Sequence, residues 1–135
     1  MTYLVDANVL SEPTKPVPNA AVVEWLRVHE EDCVVDPVVL GELSIGVSTL
    51  PVGRKRVQLQ RWLNTVIQTV ECLAWDAAVG LRWAQLVVKL RRTGQALPIL
   101  DSMIAATALE HRLTVATRNL RDFRKAGVAV VFEMV

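Results

Sequence analysis

The stretch "YLVDANVLSE", residues 3–12, decides how the rest of the chain is read. Tyr3, Leu4 and Val5 form an apolar run too short for a helix, so they read as a buried strand, counted here as residues 2–5. The run ends on a carboxylate, Asp6, with an amide, Asn8, two positions on. Either Asp6 caps the turn that follows, or something at this strand's end needs negative charge.

Working outward, the same grammar recurs. "CVV" at 33–35 and "CLA" at 72–74 are short strands, and "TVAT" at 114–117 and "VAVVF" at 128–132 supply a fourth and fifth. Helical periodicity fills the gaps. Asn19 caps a helix carrying Val22, Val23, Leu26 and Val28. Asp36 and Pro37 open another with Val39, Leu40, Leu43 and Val47 on one stripe. A helix over 54–70 follows, then one capped by Asp76 that runs to Arg92, then one starting at Asp101 or Ser102. Pro13, Pro16 and Pro18 forbid regular structure in the loop "EPTKPVPN". Strands alternating with helices indicate an α/β fold with a mainly parallel sheet, and continuous apolar strands suit a sheet covered on both faces.

Composition bounds the function. The 135 residues fit one domain, 1–135, and at 52% hydrophobic and 21% charged they can bury a core. A formal charge of +1 gives no global field for nucleic acid, which leaves local groups such as Arg54, Lys55, Arg56 and Arg61, or Lys89, Arg91 and Arg92. Cys33 and Cys72 lie in apolar runs and read as reduced core residues, while His29 and His111 read as surface residues without ligand spacing. No basic segment precedes the first apolar run, and no apolar run approaches the ~20 residues that span a bilayer, so the expectation is a soluble, cytoplasmic protein.

In a parallel sheet, ligands bind beyond the carboxyl ends of the strands. Asp6 stands there after strand one, and Thr117, Arg118 and Asn119 stand there after strand four, with Asp122 one turn further. Asp101, at a helix start, aims back over the same end, and Glu42 borders the apolar stripe of its helix. Glu12, in the proline-rich loop, is expected to be solvated. Each acid alone could be a cap or a surface residue. Gathered together they would repel one another and stay ionised only around a cation, and oxygen ligands suit Mg2+ or Mn2+. Such an ion activates water and stabilises charge on a phosphoryl oxygen, so phosphodiester hydrolysis fits.

On "YLVDANVLSEP", "VVLGELSIGV", "ILDSMIAATALEHRLTVATRN" and "RDF", nearly the whole chain resembles PIN-domain ribonucleases, specifically the VapC toxins of bacterial toxin–antitoxin pairs. The resemblance implies a PIN-like α/β fold, a five-stranded mainly parallel sheet of order 3-2-1-4-5 flanked by helices. It implies a Mg2+-dependent endoribonuclease, with Mn2+ able to substitute. Asp6, Glu42 and Asp101 match the family's acids, and the fourth position, where many relatives carry Asp, is Asn119 here. The expected site is therefore Asp6 and Asp101 as metal ligands, Glu42 binding metal or placing the attacking water, and Asn119, with or without Asp122, completing the surroundings. Thr117 matches a position that hydrogen-bonds near the metal, and Arg118 or the Arg54–Arg56 cluster could hold RNA phosphates. The implied partners are an RNA substrate, a VapB-like antitoxin and a second copy in a homodimer or a larger toxin–antitoxin assembly.

Two other readings compete. A phosphatase with an Asp nucleophile after strand one would want a second Asp where Asn8 stands, and a later Lys motif that is not evident. A non-catalytic RNA- or protein-binding member would suit Asn119, but a binding module has no need of three repelling acids.

Overall fold

A computed structural model of the chain describes residues 1–131. Its sheet runs β3-β2-β1-β4-β5, all parallel. The strands are β1 (Tyr3–Val5), β2 (Cys33–Val35), β3 (Glu71–Cys72), β4 (Thr114–Ala116) and β5 (Val130–Val131). Helices α1 (Ala7–Leu10), α2 (Ala20–Val28), α3 (Pro37–Ser48), α4 (Arg54–Thr69), α5 (Ala77–Arg92), α6 (Ile99–His111) and α7 (Leu120–Lys125) cover it. The order expected from the resemblance is the order found.

The register explains where a site can form. Tyr3, Leu4 and Val5 pair with Thr114, Val115 and Ala116 on one side, and Tyr3 and Leu4 with Cys33 and Val34 on the other. β1 is thus the central strand, and the residues directly after β1, β2 and β4 emerge side by side. These are Asp6, Asp36 and Thr117, and all three are buried. Below them Leu4, Val35, Val39, Ile104 and Val115 form the core between the sheet and α3 and α6. On the other face Val5, Val9, Val22 and Trp25 pack together.

The expected caps are present. Asn19 accepts from the amides of Ala21 and Val22, Asp36 from Val39 at 2.9 Å, and Asp76 from Val79 at 3.1 Å. Differences lie where sequence signals were weak. α6 begins at Ile99, two residues before Asp101, because Pro98 stands at its head and no side chain caps it. β3 spans Glu71–Cys72 rather than 72–74, although Leu73 still donates to the Val35 carbonyl at 2.8 Å before the chain turns toward the α5 cap. β5 begins at Val130, because Gly127 takes a left-handed φ of 77° and the chain must first return to the sheet. Phe132, the last residue of the expected strand, lies outside the described residues.

Three side chains correct the sequence reading. Cys72 is exposed because β3 is a two-residue edge strand, while Cys33 is half-buried and its thiol is pushed up to about 11, chiefly by burial; both are free. His29 is half-buried rather than fully on the surface: its ring stacks on Trp25 with centroids 4.4 Å apart, and Tyr3 meets both edge-on. Glu12 is not solvated. It is 2% exposed, because a 3-10 turn over Glu12–Thr14 folds its carboxylate inward.

Candidate active site at the sheet's carboxyl end

Asp6 is fixed by its own strand end. Oδ1 accepts from the Ala7 amide at 2.8 Å, and Oδ2 accepts from Thr117 Oγ1 at 2.8 Å and, at 3.4 Å, from Asn8 Nδ2. Asp6 therefore does cap α1, but its second oxygen faces β4. Burial raises its pKa, against the opposing hydrogen bonds of Thr117 and Ala7.

Asp101, in the first turn of α6, is held from the same side. Asn119 Nδ2 donates to Asp101 Oδ2 at 2.8 Å and to Asp122 Oδ2 at 3.0 Å, while the Asn119 backbone amide donates to Thr117 Oγ1 at 2.9 Å. One amide thus joins two acids, and Asp122, half-buried on α7, enters the site through it. The Asp101 carboxyl is pushed up to about 6 by desolvation, then by the charges of Asp6 and Asp122. Its turn of α6 is braced by α5: Trp83 Nε1 donates to Ser102 Oγ at 3.0 Å, and Ser102 in turn donates to the Ile99 carbonyl at 2.6 Å.

Glu42 comes from α3, and among the described residues no hydrogen bond or ion pair holds it. Its Oε1 is buried with no hydrogen-bond partner, and its carboxyl is pushed up to about 7 by desolvation, then by Asp6, Asp101 and Asp36. A buried acceptor without a donor is rare and costly in a folded protein. Glu42 borders a cleft of about 350 Å³ whose walls include Asn8, Ser11, Leu43, Leu59 and Trp62.

Asp36 was read from sequence only as a helix cap, and it is more than that. It is fully buried, and its Oδ2 accepts from Thr107 Oγ1 of α6 at 2.7 Å. The signal was available: like Asp6, it directly follows a strand, and that strand neighbours β1. Arg118, a candidate phosphate holder, instead places Nη1 3.1 Å from Glu12 Oε2.

Asp6, Glu42 and Asp101 thus share one electrostatic neighbourhood: Asp6 and Asp101 both raise the proton affinity of Glu42, and Asp6 also raises that of Asp101. Among the described residues, no three acid, histidine or cysteine side chains are drawn together into a set that could hold a metal ion. The chemistry of the donors still fits a small hard cation. All are oxygens, one is buried and unpartnered, and the carboxylates resist ionising together unless positive charge joins them.

A sequence model of the PIN domain matches residues 3–129. The chain belongs to the PIN-domain family. Among its relatives, the toxin FitB of Neisseria gonorrhoeae is 38% identical over 131 residues, covering 94% of each chain. The VapC ribonuclease Y4jK of Sinorhizobium fredii is 29% identical over 132 residues, covering 95% of this chain and 94% of the relative. The crystal structure of FitAcB from Neisseria gonorrhoeae superposes with a TM-score of 0.91 at 36% identity, covering 97% of both chains. In this PIN domain, then, the acids stand at the end of the central strand of the family's own fold. Among the described residues no helix is long and apolar enough to cross a membrane.

Proposed function

We propose that this PIN domain is a Mg2+-dependent endoribonuclease, the toxin of a toxin–antitoxin pair, cutting RNA phosphodiester bonds with an activated water. The observation that carries the reading is the unpartnered, buried Oε1 of Glu42, whose carboxyl is raised by the charges of Asp6 and Asp101. The relatives named toxin and ribonuclease support it.

Asp6, Asp101 and Glu42 would hold the cation, with Mn2+ able to replace Mg2+. When bound, the ion supplies a water of lowered pKa and charge stabilisation at a phosphoryl oxygen. The chain's own residues divide the remaining work. Thr117 and the Ala7 amide lock Asp6 in one rotamer, so its oxygens are already oriented. Asn119 does the same for Asp101 and lends no further negative charge. Glu42, with an oxygen that no hydrogen bond takes, would either join Asp6 and Asp101 on the cation or place the attacking water and accept its proton. Arg118 is engaged by Glu12, which leaves Arg54, Lys55 and Arg56 at the start of α4 as the phosphate-holding candidates. The partner is a VapB-like antitoxin. Exposed Ile45, Val57, Ile67, Leu81 and Val88 offer apolar surface for a homodimer and for that antitoxin.

The test is cleavage of RNA by the purified protein with Mg2+, with Mn2+ and with chelator. Cleavage should require the cation and fall by about a hundredfold or more in Asp6→Asn. Undiminished cleavage by Asp6→Asn, or cleavage that survives chelation, would refute the proposal.

A further inference from the structure

We infer that Glu12 is a positioning residue for the acidic site: through Arg118 it sets the register of the segment Thr117–Arg118–Asn119. The inference rests on the proposed function for its consequence, but not for its geometry.

Each residue of that segment bonds to the acids or to their neighbour Asn8. Thr117 donates to Asp6, the Arg118 amide donates to Asn8 Oδ1 at 3.2 Å, and Asn119 donates to Asp101 and Asp122. A segment that meets every acid of this end except Glu42 and Asp36 must itself be held. β4 ends at Ala116, and α7 begins at Leu120 without a side-chain cap, so the ladder and the helix stop on either side of it. Besides the Asn8 contact, the side-chain bond that ties it to a point beyond the acids it serves is Arg118 Nη1 to Glu12 Oε2 at 3.1 Å.

Glu12 is built as an anchor. Its Oε1 accepts from the Asn19 amide at 3.0 Å, which fixes it to the head of α2, and its Oε2 is shared by Lys15 Nζ at 2.6 Å and Arg118. A buried carboxylate with both oxygens taken has one orientation, so it offers the Arg118 guanidinium a fixed acceptor. The proline-rich loop that looked like solvated punctuation is therefore the far support of the active-site segment, and Asn8, which meets both Asp6 and Arg118, lies between them.

Glu12→Gln isolates the role. The glutamine oxygen can still accept from Asn19, but its nitrogen cannot accept from Arg118 or Lys15. Lys15→Met is the control that removes the other partner alone. Mn2+ affinity, measured by calorimetry below the melting temperature of each variant, should weaken about 10–100-fold in Glu12→Gln and in Arg118→Met, and stay at the parent value in Lys15→Met. In the metal-free protein, hydrogen exchange at the Asn119 amide should quicken in the first two variants. The double variant should be no worse than either single one. A fall in melting temperature with unchanged Mn2+ affinity and unchanged exchange would make Glu12 merely structural. Recovery of parent affinity when Arg118→Met is added to Glu12→Gln would overturn the inference too, because a released guanidinium would then be the cause. Should the parent bind no Mn2+, the proposed function fails, while the exchange measurement still decides the role of Glu12.

Discussion

Thr107 Oγ1 on α6 donates to Asp36 Oδ2 at the head of α3 across 2.7 Å, inside the core, between residues 71 apart in sequence. The bond joins the helix that carries Asp101 to the helix that carries Glu42. Thr107→Val preserves shape and leaves a buried carboxylate oxygen unpaired, so it should cost about 1–3 kcal/mol. Thermal unfolding should show the loss, and Mn2+ affinity should fall with it as the two helices lose their brace. A variant of parent stability would mean that Asp36 is satisfied without Thr107.

The raised carboxyls set a pH dependence. Glu42 goes from an ordinary 4.5 up to about 7, and Asp101 from 3.8 up to about 6. An acid whose folded pKa lies above its unfolded one keeps its proton longer when folded, so stability is greatest below the unfolded value and declines as pH rises through the folded one. In chelator, the melting temperature should therefore drop between about pH 4 and 7, and Glu42→Gln should remove much of the drop. Glu12, whose carboxyl is lowered first by Lys15 and then by the Asn19 amide, acts with the opposite sign. Its contribution is present above 4.5 and fades below that, in a separate window. A flat profile between pH 4 and 7 would contradict the arrangement of acids described above.

Asn119→Asp probes the amide that joins two acids. The substitution turns a donor shared by Asp101 and Asp122 into a third carboxylate beside them. Without metal it should destabilise the protein by about 1 kcal/mol or more. With Mn2+ the sign reverses, because added negative charge strengthens cation binding. Titration calorimetry and melting curves with and without the ion would check both halves.

Arg112 gives a control far from the chemistry. It ends α6 in the left-handed region at φ 55°, ψ 47°, where glycine is at ease. Arg112→Gly should raise stability by about 1 kcal/mol and leave RNA cleavage unaltered. Melting temperature and a cleavage assay are sufficient.

Some of this was legible from residue order alone. Asp6 could be placed because a three-residue apolar strand can only end where it does, and Asn19, Asp36 and Asp76 announced their helices by cap chemistry. Other features left no local trace. α6 is buried on nearly every side from Ser102 to Ala108, so it carries no polar stripe to mark its start, and Asp101 falls in its first turn rather than at its cap. Glu12 looked solvated because prolines surround it, yet its partner Arg118 lies 106 positions away. A pairing at that range is written in the folded topology, not in spacing. Asp36 was missed because one residue performs two tasks and the nearer one, capping, accounted for it.

Because β1 lies between β2 and β4, the first strand synthesised waits for the fourth before its carboxylate gains the Thr117 hydroxyl. Thr117 and Asn119, which steady Asp6 and Asp101, arrive late in translation. A nascent or truncated chain that stops short of them carries the acids without their supports. The acidic site is assembled last, so, on the proposed function, an incomplete copy of this protein should be inactive.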